Sequence, residues 1–238
     1  MISATVEDYL RQIHLAEPPG GAGYVSMKEL ARTMQVAPGT ATAMARSLAR
    51  DGLVVYALRK GVRLTAEGRA EARRVLRRHR LIELFLVKVL GQDWADVHED
   101  AHRLEHAVSQ RVEEAMDRVL GHPAVDPHGD PIPGGGGTPG GVSLAKAADG
   151  SAARVTRIED QGPEFLRYAA RTGLVPGAEV LLRSQDRSAG TARLKVGSRE
   201  LTLALSVLAK IRVEPRKADH RPRPGRGPAG SRPSRKPG

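Results

Sequence analysis

The sequence predicts a mainly α chain with small β parts: a helical N-terminal body followed by a small β-rich module. Three observations predict it. Apolar residues recur at helical spacing through the first 120 positions, the period switches to strand-like alternation from about residue 152, and two Gly/Pro-rich stretches break the chain.

The elements follow in order. Val6, Tyr9, Leu10, Ile13 and His14 share one face of a first helix. After the turn-rich segment Pro18 to Gly23, Ser26 can cap a second helix carrying Leu30, Ala31 and Met34. Pro38 suits the first turn of a third helix, which runs through Ala41, Met44, Ala45 and Leu48 to Asp51 and Gly52. Leu53 to Tyr56 and Val62 to Thr65 are β-rich runs joined by a turn with Arg59, Lys60 and Gly61, hence a hairpin. Residues 66–90 form a long helix, basic early and apolar from Leu81 to Leu90; Gly91 stops it, and Asp93 or Asp96 starts the next. Beyond residue 152, Val155–Ile158, Glu179–Leu182, Ala192–Val196, Leu201–Leu203 and Ile211–Val213 alternate as short strands around one helix, Pro163 to Arg171, ending at Gly173. That pattern suggests a small barrel.

The expected units are therefore 1–72, 73–140, 152–214 and a tail, 215–238. Residues 121–141 hold eight Gly and five Pro, so 121–151 is expected to end in a flexible linker. The tail carries eight Lys or Arg against Asp219 and no apolar residue larger than Ala. It is either a solvated terminus or a weak electrostatic aid on a polyanion. The net charge of +11 is mostly this tail, so it is weak evidence for the body's partner. There is no cysteine, so a metal would be held by N and O donors. No signal-type segment and no apolar run of about 18 residues is present, so a cytoplasmic protein with no membrane partner is expected.

Two patterns carry chemistry. His98, His102, Glu105 and His106 project from one helix face, and His79 and Glu83 lie one turn apart within an apolar stripe. Buried imidazoles and carboxylates are costly unless paired or metal-bound, so two such ladders can close a divalent cation site. The alternatives are a buried hydrogen-bonded pair for His79 and Glu83 and a solvated polar face for the others. His14, His122, His128 and His220 are read as bystanders. The second pattern is helix, helix, hairpin, a winged helix-turn-helix. Ala37, Pro38, Gly39, Thr40 and Thr42 would open its recognition helix, with small and hydroxyl side chains that allow close approach to the major groove. Ser26, Arg46 and Arg50, with Arg59 and Lys60 at the wing tip, can reach phosphates of double-stranded DNA.

From Asp8 to His106 the chain resembles the diphtheria toxin repressor family of metal-dependent transcriptional regulators. The resemblance rests on Glu7 to Ile13, Arg50 to Val54, Leu64 to Gly68, His79 to Glu83 and Val97 to His106. Pro131-Ile132-Pro133 resembles the segment closing the family's dimerisation domain, and 152–214 the SH3-like third domain of longer members, with Gly173 to Gly177 its most typical piece. The resemblance implies two neighbouring metal sites. His79, Glu83 and His98 match an ancillary site, completed from the SH3-like domain, here by Gln161 and Glu164. Asp8, His102, Glu105 and His106 match the regulatory site, although Asp8 could instead serve a capping box with Thr5.

Three departures stand out. Position 102 usually holds a carboxylate or cysteine, Arg11 replaces the second carboxylate of manganese-sensing members, and Ala43 replaces a typical recognition-helix glutamine. The Asp8 carboxylate favours harder ions such as Mn²⁺ or Fe²⁺, whereas three imidazoles pull toward Fe²⁺, Co²⁺, Ni²⁺ or Zn²⁺; Mn²⁺ is expected narrowly ahead of Fe²⁺, with other divalent transition metals able to bind in vitro. The expectation is a homodimer on a palindromic operator, repressing metal-uptake genes, with no organic cofactor and no enzymatic activity. A metal-dependent hydrolase is the alternative from another class, but nothing supplies a nucleophile or a phosphate-cradling Gly loop. A winged-helix regulator answering a non-metal ligand is the other.

Overall fold

The computed structural model describes residues 2–18, 23–138 and 140–216. Beyond Arg216, the expected basic tail and His220 lie outside the described residues. Helices α1 (Ala4–Ala16), α2 (Met27–Thr33) and α3 (Pro38–Arg50) precede an antiparallel hairpin of β1 (Val54–Ala57) and β2 (Gly61–Leu64), with Val54 opposite Leu64. This is a winged helix-turn-helix. Ser26 Oγ accepts the Glu29 amide at 3.1 Å, and Pro38 stands in the first turn of α3, where no amide is needed. Leu10, Ile13, Leu30, Leu48 and Val62 close its core.

Helix α4 (Ala66–Lys88) leaves this unit with Thr65 as its cap, the hydroxyl accepting the Gly68 amide at 3.0 Å. Gly68 lies against the backbone of Leu53, just ahead of β1: a Cβ there would sit 1.9 Å from the Leu53 carbonyl oxygen. Backbone cannot yield as a side chain can. Gly68→Ala is therefore expected to destabilise the protein by about 2 kcal/mol or more, lowering the thermal midpoint by roughly 4–8 °C in a calorimetric scan. An unchanged midpoint would mean that α4 slides freely on the hairpin.

The apolar run Leu81 to Leu90, which by sequence suits a dimer interface, an intradomain core or both, is mostly core within the protomer. Leu81, Ile82, Leu84 and Leu86 are buried against α5 (Val97–Glu105), α6 (Gln110–Val119) and Ile132, leaving Val89 and Leu90 exposed at the end. The Gly/Pro-rich stretch also differs from the flexible linker expected of it. Ile132 is buried beside Leu81 and Leu84, Val125 bridges Pro131, and Asp126 Oδ1 accepts the amides of His128 and Asp130. Arg80 and Arg77, from α4, donate to the carbonyls of Pro131 and Pro133. Those arginines satisfy backbone that proline-rich chain cannot satisfy itself.

The C-terminal module holds β3 (Val142–Ser143), β4 (Ala152–Ile158), α7 (Pro163–Thr172), β5 (Glu179–Asp186), β6 (Thr191–Val196), β7 (Arg199–Ala204), α8 (Leu205–Leu208) and β8 (Ile211–Pro215). Its strands form one antiparallel sheet, order β3-β8-β4-β5-β6-β7. Bulges after Val155 and Leu182 bend it. Gly173, at φ 78°, ends α7 in the left-handed conformation only glycine adopts cheaply. The module is docked rather than tethered: Trp94 and Ala95 pack into its core, Arg167 pairs with Asp96 at 2.5 Å, and the Ile158 amide donates to His128 O at 2.9 Å. No helix among the described residues is long and apolar enough to cross a membrane.

Candidate metal centre and DNA-reading surface

Ser3, not Thr5, caps α1, which places Glu7, Asp8 and Arg11 on the turns facing α4 and α5. The capping-box alternative for Asp8 therefore does not apply. Asp8, His102, Glu105 and His106 form one cluster, each offering an atom within 4.8 Å of the others'. His106 Nε2 lies 3.2 Å from Asp8 Oδ1 and 3.5 Å from Glu105 Oε1, and His102 Nδ1 lies 2.8 Å from Glu105 Oε1. On the far side of its ring, His106 Nδ1 is 2.7 Å from Glu7 Oε2. An N–H donated to Glu7 leaves Nε2 as a lone pair aimed at Asp8. Both Asp8 Oδ1 and His106 Nε2 are buried without a hydrogen-bond partner. Two facing acceptors repel unless a cation lies between them, so this donor set fits a divalent metal.

His79, Glu83 and His98 form the second cluster. His79 Nε2 and His98 Nδ1 approach Glu83 Oε1 at 3.1 and 3.0 Å, with the two imidazole rings edge to face. Burial opposes charge on His79, but hydrogen bonds to Glu105 and Glu83 outweigh it and hold the imidazole above its ordinary value. Glu83, despite its own burial, is held well below the usual carboxylate range by His79 and His98. The clusters touch, because His79 Nδ1 also lies 2.7 Å from Glu105 Oε2.

Glu83 belongs to a third grouping, with Asp126 and His128, all buried. His128 Nε2 donates to the Trp94 carbonyl at 2.8 Å, which leaves Nδ1 as an acceptor, and that atom is buried without a partner. His128, read from the sequence as a bystander, thus stands beside Glu83 and Asp126. Burial, with the nearby charges of Glu83 and Asp130, pushes the Asp126 carboxyl up to about 8. Sequence reasoning missed both residues; the only signal was Asp126-Pro127-His128-Gly129-Asp130, an island of donors within a glycine- and proline-rich stretch. It also missed Glu7 as the group that orients His106.

Gln161 and Glu164, expected from the third domain, separate. Gln161 lines a hollow of 380 Å³ beside His79, Glu83 and His98, with its amide nitrogen donating to Asp130 Oδ2 at 2.5 Å. Glu164 is exposed in the first turn of α7 and faces another hollow, with Phe165 and Lys210. It stays outside because Pro163 starts a helix that turns it away. His14 and His122 take no part in any of these clusters.

In the DNA-binding unit, Ala37, Pro38, Gly39 and Thr40 are exposed at the start of α3, and Ser26 is exposed at the start of α2. The Thr42 hydroxyl donates to Pro38 O at 2.8 Å, so it is spent on its own helix. Arg46 lies over the Tyr56 ring at 5.9 Å, and Arg50 reaches Ser47 Oγ at 3.4 Å. Arg59, at φ 66°, and Lys60 form the exposed tip of the wing.

Three family models match consecutive parts of the chain: "Iron dependent repressor, N-terminal DNA binding domain" over 1–62, "Iron dependent repressor, metal binding and dimerisation domain" over 65–134, and "FeoA domain" over 142–215. The iron-dependent repressor IdeR of Mycobacterium leprae is 31% identical over 227 residues, covering 88% of this chain and 96% of that protein. The diphtheria toxin repressor of Corynebacterium diphtheriae is 38% identical over 130 residues, 55% of this chain and 57% of that one. A solved structure described as a manganese-dependent transcriptional repressor in complex with manganese superposes with a TM-score of 0.79 at 38% identity, covering 88% of this chain and 99% of that chain. With the winged helix, the cation-ready clusters and the bent sheet in the matching order, the chain belongs to the iron-dependent repressor family of DNA-binding, divalent-metal-binding transcriptional regulators.

Proposed function

We propose that this regulator is a repressor of metal-uptake genes whose operator binding is switched on by Mn²⁺, with Fe²⁺ the next best activator. One observation carries the reading: Asp8 Oδ1 on α1 and His106 Nε2 at the end of α5 face each other at 3.2 Å, both buried and neither with a hydrogen-bond partner. Asp8, His102, Glu105 and His106 would hold the activating cation; His79, Glu83 and His98, or Glu83, Asp126 and His128, would hold a second. A bound cation supplies positive charge that satisfies carboxylates and neutral imidazoles together. The carboxylates favour a hard ion, which supports manganese.

Asp8 belongs to the DNA-binding unit and its partners to the dimerisation unit. Drawing them into one ligand set fixes the recognition helices of a homodimer relative to each other. The two-fold symmetry fits a palindromic operator whose half-sites lie one helical turn, or a multiple, apart. Without that tie the units are held less firmly and affinity falls, typically about 5–150-fold.

Fluorescence anisotropy of labelled operator DNA, titrated with and without Mn²⁺ or Fe²⁺, tests the reading. Metal-independent binding would refute it. On the DNA side, Arg50→Ala is expected to weaken binding to every sequence alike and reduce the slope of log K against log salt by about 0.9, as for one lost phosphate contact. A loss confined to one operator sequence would instead make Arg50 a base reader.

A further inference from the structure

Arg11 lies between the two ligand clusters, and its buried guanidinium touches members of both. Nη1 is 3.0 Å from His79 Nδ1 and 3.5 Å from Glu105 Oε1. Nη2 is 3.1 Å from His102 Nδ1 and 3.9 Å from Asp8 Oδ1. The side chain is 5% exposed, and Nε is buried with no partner at all. A guanidinium does not give up its proton. One permanent positive charge from α1 is therefore pressed against His79 of α4 and against His102 and Glu105 of α5.

Such a charge has two opposed effects. In the protein without a bound cation it offsets Asp8 and Glu105, which would otherwise be poorly compensated buried anions, and it ties α1 to α5. Toward an incoming divalent cation it is a like charge a few ångströms away, contending for His102 and Asp8. Its neighbours favour its staying: the other arginine near this cluster, Arg78, is occupied by Glu113 and by the Glu105 carbonyl.

We propose that Arg11 is a built-in cationic latch: it holds the DNA-binding unit against the metal-binding helices when no metal is bound, and it raises the cation concentration needed to fill the Asp8–His106 cluster. This rests on that cluster being the activating site. Arg11 is a positioning residue that sets both the resting DNA affinity and the threshold of the response.

The test compares wild type, Arg11→Gln and Arg11→Lys. Mn²⁺ is titrated into DNA-free protein by calorimetry, and operator affinity is measured by anisotropy with chelator and with saturating Mn²⁺. Removing the charge in Arg11→Gln should tighten Mn²⁺ binding by about tenfold and weaken metal-free operator binding by about fivefold, widening the metal response. Arg11→Lys keeps the charge but loses the fork. It should leave Mn²⁺ affinity near wild type and still lower the metal-free operator affinity.

A merely structural arginine predicts that Arg11→Gln weakens both, and that outcome overturns the latch. Circular dichroism establishes that each variant is folded; should Arg11→Gln fail, Arg11→Lys with unchanged metal-free operator affinity is equally fatal. If wild-type operator binding ignores Mn²⁺, the proposed function fails instead, and the calorimetric comparison still decides the latch.

Discussion

His106→Ala is expected to abolish the metal-dependent gain in operator affinity while leaving metal-free binding and the fold nearly unchanged. The side chain ends α5 as its C-cap, half-buried, so its loss opens little core. Its two ring nitrogens have distinct tasks: Nδ1 is fixed by Glu7 and Nε2 is left bare beside Asp8. Alanine removes the imidazole ligand that Glu7 orients toward Asp8. It leaves Asp8, Glu105 and His102, and His102 is already engaged by Glu105 and Arg11. An orienting partner alone is typically worth 10–100-fold in metal affinity, so losing the ligand itself should cost at least about 100-fold. Anisotropy at a fixed 10-fold excess over the wild-type half-saturating Mn²⁺ concentration should then show metal-free affinity only. A response of wild-type size would remove His106 from the ligand set. Glu7→Gln is the milder companion, since an amide oxygen can still accept the Nδ1 proton.

The elements that were legible in the sequence are those set by local chemistry. Ser26, Pro38, Gly91 and Gly173 punctuate helices through their own backbone preferences, and the helical spacing of Leu, Ile and Val needs no distant partner to be recognised. The ligand face of α5 was legible for the same reason: four donors within nine residues on one arc require only helical geometry. What escaped was set by side chains from elsewhere. Composition makes 121–141 a linker; Arg77 and Arg80, some fifty residues earlier, with buried Ile132 and the Asp126 hydrogen bonds, make its described part an ordered wall. That wall also brings Asp126 and His128 against Glu83, which neither residue's sequence neighbourhood announces. Likewise, Leu81 to Leu86 could equally face a partner or a core, and the packing of α5, α6 and Ile132 decides for core.

The same buried groups predict that Mn²⁺ stabilises this protein more at pH 8 than at pH 6. Without a cation, His79 is held above the ordinary histidine value of about 6.5: burial alone would lower it, but the Glu105 and Glu83 hydrogen bonds prevail. A raised histidine contributes stability that is complete below that ordinary value and is lost as pH rises through the folded one. Asp126, pushed up to about 8 chiefly by burial, acts in the same direction, since the folded protein keeps a proton that the unfolded chain has released. Glu83 and Glu105 run the other way. Burial opposes their ionisation, yet His79 with His98 holds Glu83 low, and His79 with Arg11 and His102 holds Glu105 low. Their contribution is present above the usual glutamate range and disappears only under acid, below pH 5. Between pH 6 and 8 His79 and Asp126 therefore cost the metal-free protein stability as pH rises; His14, held low chiefly by burial, runs the other way but does so with or without a cation. Ligands must shed their protons to bind a cation, so the metal-loaded form does not share that loss. With one to two protons at stake, the difference is about 1.4–2.8 kcal/mol per pH unit at most. Differential scanning measurements should show the Mn²⁺-induced rise in thermal midpoint growing by about 5 °C or more from pH 6 to pH 8. A rise that is flat across that interval would mean that His79 and Asp126 carry no exchangeable proton in the metal-free protein, and hence that neither stands where a cation binds.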